Sequence, residues 1–187
     1  LTVTRIVGGM ARGRRLAVPP RGTRPTSDRA REALFNTLGG ELEITGARVL
    51  DLYAGSGAVG LEALSRGAAA AVFVESDHRA AAVLADNVAA LGLPGTTVRR
   101  LTVENYLAAT GADEPFDLVF ADPPYAIPAG TVFSMLGQLV EHGWLQPDAV
   151  VVLERSARDA ELDWPCEIKP IKHRRYGEGC LWYGRRA

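Results

Sequence analysis

Along residues 48–153, short and nearly unbroken apolar runs alternate with stretches in which apolar positions recur every three or four residues. The runs 48–52, 70–74, 97–101, 116–121 and 149–153 read as strands buried on both faces, and 59–66, 78–91, 103–109 and 131–142 read as the helices between them. Such alternation predicts βαβ crossovers and a mostly parallel, doubly wound α/β sheet. After Leu153 it stops. Residues 167–174 and 179–185, joined through Tyr176-Gly177-Glu178-Gly179, predict an antiparallel hairpin on the sheet edge.

Upstream, 4–7 and 14–18 flank Gly8-Gly9-Met10-Ala11-Arg12-Gly13 and predict a smaller hairpin with a loose, basic tip. Pro19-Pro20-Arg21-Gly22 breaks it. Pro25-Thr26-Ser27-Asp28 then opens a helix with Ala30, Ala33, Leu34, Thr37 and Leu38 along one face. A lone two-stranded hairpin is not stable in water, so residues 1–36 are expected to be a hairpin-and-helix extension of a main domain spanning 37–187.

Charge changes this picture. The net charge of −1 conceals +6 in residues 1–36, −12 in 37–168 and +5 in 169–187. Basic ends around an acidic middle suggest that the ends meet a polyanion. Because 19 of the 21 basic residues are Arg, a bias of the whole chain, only their placement carries weight. The longest apolar run, 68–74, is far too short to cross a bilayer, and the N-terminus carries no apolar signal core, so a soluble protein that is not secreted is expected. Cys166 and Cys180 lack any zinc-binding spacing and are expected to be free thiols, with no structural metal. His78, His142 and His173 are scattered over different elements, and Trp144, Trp164 and Trp182 read as packing residues.

Two segments carry chemistry. In Val49-Leu50-Asp51-Leu52-Tyr53-Ala54-Gly55-Ser56-Gly57-Ala58-Val59-Gly60 a strand runs into a glycine turn and a helix, the place where doubly wound sheets bind ligands. Gly55, Gly57 and Gly60 fit the dinucleotide fingerprint, and Glu75 stands where an acid holds ribose hydroxyls. Nicotinamide, flavin and S-adenosylmethionine (SAM) sites share that pattern. Asp51, four positions before Gly55, suits a cationic ligand better than a pyrophosphate. The second segment, Asp122-Pro123-Pro124-Tyr125, follows the fourth predicted strand. Its prolines stiffen a turn that can aim the Asp122 carboxylate and the Pro123 carbonyl at the two hydrogens of an exocyclic amine, with Tyr125 as a stacking face.

Together these segments resemble the class I SAM-dependent methyltransferases that act on exocyclic amines of nucleobases. Arg5-Ile6-Val7-Gly8-Gly9, Gly13-Arg14-Arg15-Leu16, the run Arg24-Pro25-Thr26-Ser27-Asp28-Arg29-Ala30-Arg31-Glu32-Ala33-Leu34-Phe35-Asn36 and Glu62-Ala63-Leu64-Ser65-Arg66-Gly67 narrow the likeness to the RsmD-type bacterial 16S ribosomal RNA guanine-N2 methyltransferases. That resemblance implies a Rossmann-like sheet and SAM as cofactor. The cofactor would be held by Asp51, Tyr53, Gly55, Ser56, Gly57, Glu75, Ser76 and Val103, with Ser76 or Asp77 bordering the adenine. Relatives often carry an acid after the third strand, where this chain has Thr102-Val103. The resemblance further implies catalysis by Asp122, Pro123, Pro124 and Tyr125, and RNA contacts from Arg5, Arg12, Arg14, Arg15 and Arg24. The implied partner is small-subunit ribosomal RNA in an assembled or assembling subunit, met in the cytoplasm by a monomer with no membrane attachment.

Four rival readings share parts of the pattern. An adenine-N6 DNA methyltransferase would use the same acceptors but usually needs a target-recognition domain for which 187 residues leave no room. A protein-glutamine methyltransferase usually has Asn at the position of Asp122. An RNA-binding assembly factor with a vestigial site would not need Asp122, and a nicotinamide dehydrogenase rests on the glycines alone.

Overall fold

The computed structural model describes residues 3–19, 27–109, 111 and 114–187. In chain order the elements are β1 (Val3–Arg5), β2 (Arg15–Ala17), α1 (Asp28–Leu38), β3 (Arg48–Leu52), α2 (Ala58–Ser65), β4 (Ala70–Val74), α3 (His78–Leu91), β5 (Thr96–Arg99), α4 (Val103–Leu107), β6 (Phe116–Ala121), α5 (Ala129–Glu141), β7 (Leu145–Ser156), β8 (Ile168–Tyr176) and β9 (Gly179–Arg186).

The large sheet has seven strands in the order β5-β4-β3-β6-β7-β9-β8. Strands β3 to β7 are parallel, and β9 and β8 run antiparallel at one edge. The chain moves outward from β3 to β5, then returns to lay β6 against the other side of β3. This reversal opens a crevice at the carboxyl ends of β3 and β6. Side chains alternate across the sheet: Leu118, Phe120, Val150 and Val152 join the core under α1, α2 and α3, and Val119, Ala121, Val151 and Leu153 join the core under α4 and α5.

The expected strands and helices are present, with ends displaced by a few residues. The strand expected over 149–153 extends over Leu145–Ser156, because Leu145 pairs with Phe116 before a bulge in which Asp148 takes a φ of 63°. The expected β5 ends early at Arg99, since Thr102 caps α4 by accepting the Asn105 N–H at 3.2 Å. In the β8–β9 turn Gly177 has a φ of 59°, the left-handed conformation that the first central residue of a tight hairpin turn requires. Ser27 caps α1 through its side chain, as its position before the helix leads one to expect. Pro20, Arg21, Gly22, Pro25 and Thr26 lie outside the described residues. Helix α1 buries Arg31 and Phe35 alongside Ala30, Leu34 and Leu38, whereas Ala33 and Thr37 stay at the margin.

The tip between β1 and β2 is not loose, contrary to the expectation from its glycines. Glu62 on α2 accepts the N–H groups of Val7 and Gly8 at 2.9 and 2.8 Å, and the Ser65 hydroxyl accepts from Ala11 N–H and donates to the Gly8 carbonyl. Gly9 has a φ of 75°, and a Cβ there would lie 1.8 Å from the Ser65 carbonyl oxygen. The glycines thus serve close approach to α2. Arg31 is buried and reaches Glu62 at 3.2 Å, and Arg66 completes the cluster at 2.9 Å. Ile6 and Leu16 are buried in the same core as Leu64 and Leu84, and residues 36 and 37 both lie within α1. Both cysteines are free. Among the described residues no helix is long and apolar enough to cross a membrane.

Candidate active site

The parallel register places the chemistry at one level. Leu52 pairs with Val74 and with Ala121, and Ala121 pairs with Leu153. The next residue on each strand is Tyr53, Glu75, Asp122 or Glu154. Two carboxylates, Asp122 and Glu154, therefore stand side by side on β6 and β7, and a third, Glu75, stands at the end of β4 on the other side of the turn that follows β3.

That turn is held from both sides. Gly55 donates its N–H to Glu75 Oε2 at 2.8 Å, and Glu75 Oε1 accepts the Asp77 N–H at 2.8 Å. Tyr53 has a φ of 56°, a left-handed conformation that costs a side-chain-bearing residue about 1–2 kcal/mol and bends the chain away from the strand. Gly57 begins α2 with a φ of 77°, and a Cβ on it would meet Leu84 Cδ1 at 2.3 Å. Ser56 is buried, and its carbonyl accepts from Asn87 Nδ2 at 2.9 Å. Gly60, the third glycine of the fingerprint, lies against the Phe73 ring, where a Cβ would approach to 2.4 Å, so it serves helix–sheet packing.

Asp51 is only 2% exposed and accepts the Gly60 N–H at 3.0 Å. It fixes the start of α2 from below the turn. Burial pushes its carboxyl up to about 8, opposed by the Gly60 N–H and reinforced by the Glu75 charge. Ser76 is exposed beside Glu75, Asp77 caps α3 by accepting from Arg79 and Ala80, and Val103 is buried at the first turn of α4.

On the facing strand, Pro123 is buried while Pro124 and Tyr125 are exposed, Tyr125 by 46%. Burial holds the Asp122 carboxyl well above the usual carboxylate range, the charges of Glu154 and Asp51 add to this, and Arg155 opposes it. A carboxylate with raised proton affinity is a better acceptor for the proton of an amine that is gaining positive charge.

Sequence reasoning missed Arg155. It is buried at the end of β7, donates to the carbonyls of Ile127 at 3.0 Å and Pro124 at 3.5 Å, and is held by Asp159 at 3.0 Å. The guanidinium fork clamps the turn that carries Asp122 to Tyr125. The one available signal was a charged pair, Glu154-Arg155, closing an apolar strand. With Ser27, Glu154 and the β8–β9 turn, Arg29 and Arg175 line a cleft of about 480 Å³ beside Tyr125.

Of the proposed RNA contacts, Arg5, Arg12, Arg14 and Arg15 are exposed on the β1–β2 hairpin, where Arg5 pairs with Arg15; Arg5 also lies 3.5 Å from Asp28, and Arg14 donates to the Ala90 carbonyl at the end of α3. Arg24 lies outside the described residues. Trp144 packs on Tyr106 at 4.8 Å between ring centres, in keeping with a packing role.

A parallel sheet that closes on an antiparallel β9–β8 edge, with its crevice between β3 and β6, is the architecture of the class I, SAM-dependent methyltransferases. Comparison with known proteins is more specific. The Conserved hypothetical protein 95 family matches residues 4–185, and the chain belongs to this family, as an RsmD-type methyltransferase. The ribosomal RNA small subunit methyltransferase D of Escherichia coli (strain K12) is 42% identical over 151 residues, which cover 80% of this chain and 73% of the relative. The putative rRNA methyltransferase YlbH of Bacillus subtilis (strain 168) is 37% identical over 161 residues, covering 84% and 85%. Among solved structures, the putative methyltransferase yhhF from Escherichia coli superimposes with a TM-score of 0.89 at 34% identity, over 99% of this chain and 98% of that one.

Proposed function

We propose that this chain transfers the methyl group of SAM to the exocyclic N2 amine of one guanine in small-subunit (16S) ribosomal RNA. The observation that carries the reading is the placement of Asp122-Pro123-Pro124-Tyr125 at the end of β6, directly across the crevice from Gly55 and Glu75. The residues present fit SAM: a glycine turn open to close approach, the Glu75 carboxylate for ribose hydroxyls, and Ser76 and Val103 at the neighbouring strand ends for the adenine. When bound, SAM supplies an activated methyl on a sulfonium that leaves without acid assistance.

The chain's own residues prepare the nucleophile. Guanine N2 is weak because its lone pair is delocalised into the ring. Asp122 and the Pro123 carbonyl accept its two N–H groups, orient the amine and stabilise the charge growing on it. The N2–CH3 bond forms as the S–CH3 bond breaks, the electron pair of the latter stays on sulfur, and Asp122 or water takes the surplus proton from N2. Because N2 is out of reach in a stacked helix, the base enters unpaired or extruded, and Tyr125 stacks on it. The substrate is the assembled or assembling subunit, met in the cytoplasm by a monomer. Incubating the protein with labelled SAM and unmethylated small subunits, then analysing nucleosides, yields N2-methylguanosine; N6-methyladenosine, or transfer to duplex DNA, contradicts the guanine assignment.

Residues 1–36 dock the RNA in this reading, with 37–187 as the catalytic part. Of the basic residues there, Arg12 and Arg15 are exposed and have the freedom to reach phosphates. Ile6 and Leu16 belong to the common core, so truncation would open that core and confuse docking with stability. Reversing both charges, Arg12→Glu with Arg15→Glu, is the cleaner test. RNA affinity falls, and the slope of log affinity against log salt flattens by about 1.5 to 2. An unchanged slope would show that these arginines do not meet the RNA.

A further inference from the structure

We propose that Glu154 reads the target base: its carboxylate accepts the N1–H of a guanine whose N2 amine lies between Asp122 and the Pro123 carbonyl. The inference rests on the guanine-N2 reading and adds the residue that enforces it.

Three observations place Glu154 there. Its neighbour Leu153 pairs with Ala121, the neighbour of Asp122, so the two carboxylates occupy equivalent positions on adjacent parallel strands. Adjacent strands are about 4.8 Å apart, close enough for side chains at the same level to converge on neighbouring atoms of one base edge. The charge of Glu154 also raises the proton affinity of Asp122, in keeping with that register. Finally, Glu154 lines the same cleft as Tyr125, and the two converge on Gly179. A Cβ at Gly179 would lie 3.0 Å from Glu154 Oε1 and 3.5 Å from the Tyr125 hydroxyl, so the missing side chain keeps that corner open.

The cleft suits a nucleotide. Its volume of about 480 Å³ falls in the range of small-molecule sites. Arg29, from the start of α1, and Arg175, from the end of β8, line it with cations that can hold the phosphates on either side of an extruded base.

Chemistry then fixes which base is accepted. Guanine presents two donors side by side on its Watson–Crick edge, N2–H and N1–H, and a pair of neighbouring ionised carboxylates presents only acceptors. A base with an exocyclic amine but a bare ring nitrogen beside it, such as adenine or 2-aminopurine, sets a lone pair against the Glu154 charge. A site built to accept an N–H rejects the analogue lacking it far more strongly than a hydrophobic pocket rejects a misfit.

The test exchanges one hydrogen-bonding atom on each side. The guanine that the wild-type enzyme methylates is located first, and small subunits are reconstituted with guanine or 2-aminopurine at that position. Wild-type enzyme prefers guanine by about 100-fold or more in kcat/KM. Glu154→Gln offers an amide N–H to the bare N1 of 2-aminopurine, and the preference falls at least tenfold while S-adenosylhomocysteine affinity is retained. An unchanged preference in Glu154→Gln, or an equal loss on both substrates, overturns the assignment. Failure of the underlying reading is seen separately, as wild-type enzyme that yields no N2-methylguanosine at all.

Discussion

Replacing Asp122 by alanine abolishes methyl transfer, with a loss on the order of 10³-fold or more in kcat, and leaves SAM affinity nearly unchanged. The carboxylate sits on β6, facing the cofactor turn of β3 but holding none of it: Gly55 is held by Glu75 and Gly60 by Asp51. Glu75→Ala gives the opposite pattern. Losing its ribose contact weakens SAM binding by about 1.5 to 3 kcal/mol, while saturating SAM restores much of the turnover. Calorimetry with S-adenosylhomocysteine and single-turnover assays separate the two. Equal damage to binding by both variants would show that Asp122 supports the cofactor and not the amine. The pH profile adds a sign. Asp122 takes up the amine proton and stabilises the growing positive charge only when ionised, and its proton affinity is raised, so kcat/KM climbs with pH along a limb displaced above the ordinary carboxylate range.

Glu62→Ala produces the largest loss of stability. Glu62 is fully buried and answers four donors: the N–H groups of Val7 and Gly8 and the guanidinium groups of Arg31 and Arg66. Removing it leaves the buried Arg31 guanidinium with Asp28, at 3.0 Å, as its remaining carboxylate and leaves two backbone donors unanswered, which costs about 3 kcal/mol. For a chain of this size that lowers the melting temperature by roughly 10 °C. Glu62→Gln keeps acceptor capacity but not the charge and falls between. Thermal unfolding measures both, and a shift of only a degree or two for the alanine variant would mean that the hairpin's anchorage carries little of the fold.

The sheet and its site differ in how plainly they are written in the chain. Strands such as Phe116–Ala121 are legible because a buried parallel strand must be apolar along its whole length. The turn 53–57 and Asp122-Pro123-Pro124-Tyr125 are legible because their chemistry is local: glycine for positive φ, proline for rigidity. Arg155 and Glu62 are not. Each is a charge inside an otherwise apolar environment, and its partners, the carbonyls after Asp122 or the N–H groups of Val7 and Gly8, lie 28 to 55 residues away in sequence. Glycine 9 misled for the same reason. Its place in a glycine-containing tip suggested looseness, whereas the absence of a side chain there is required by contact with Ser65, a residue no local pattern could supply. Arg29 and Arg175, from opposite parts of the chain, meet at one cleft only once α1 and the β8–β9 turn are in place.

The anchorage of β1 and β2 also dictates an order of assembly. Asn87 on α3 pairs with both the N–H and the carbonyl of Ala17, as Glu62 and Ser65 on α2 pair with the tip, so these anchors follow the residues they hold by 54 to 70 positions. Translation at about 5 to 20 residues per second delays their emergence by roughly 3 to 14 s. During that interval a hairpin this small has no surface to fold on. Although synthesised before its partners, the hairpin is thus among the last segments to settle, and elongation through residues 18–87, more than any turn propensity of its own, times its closure.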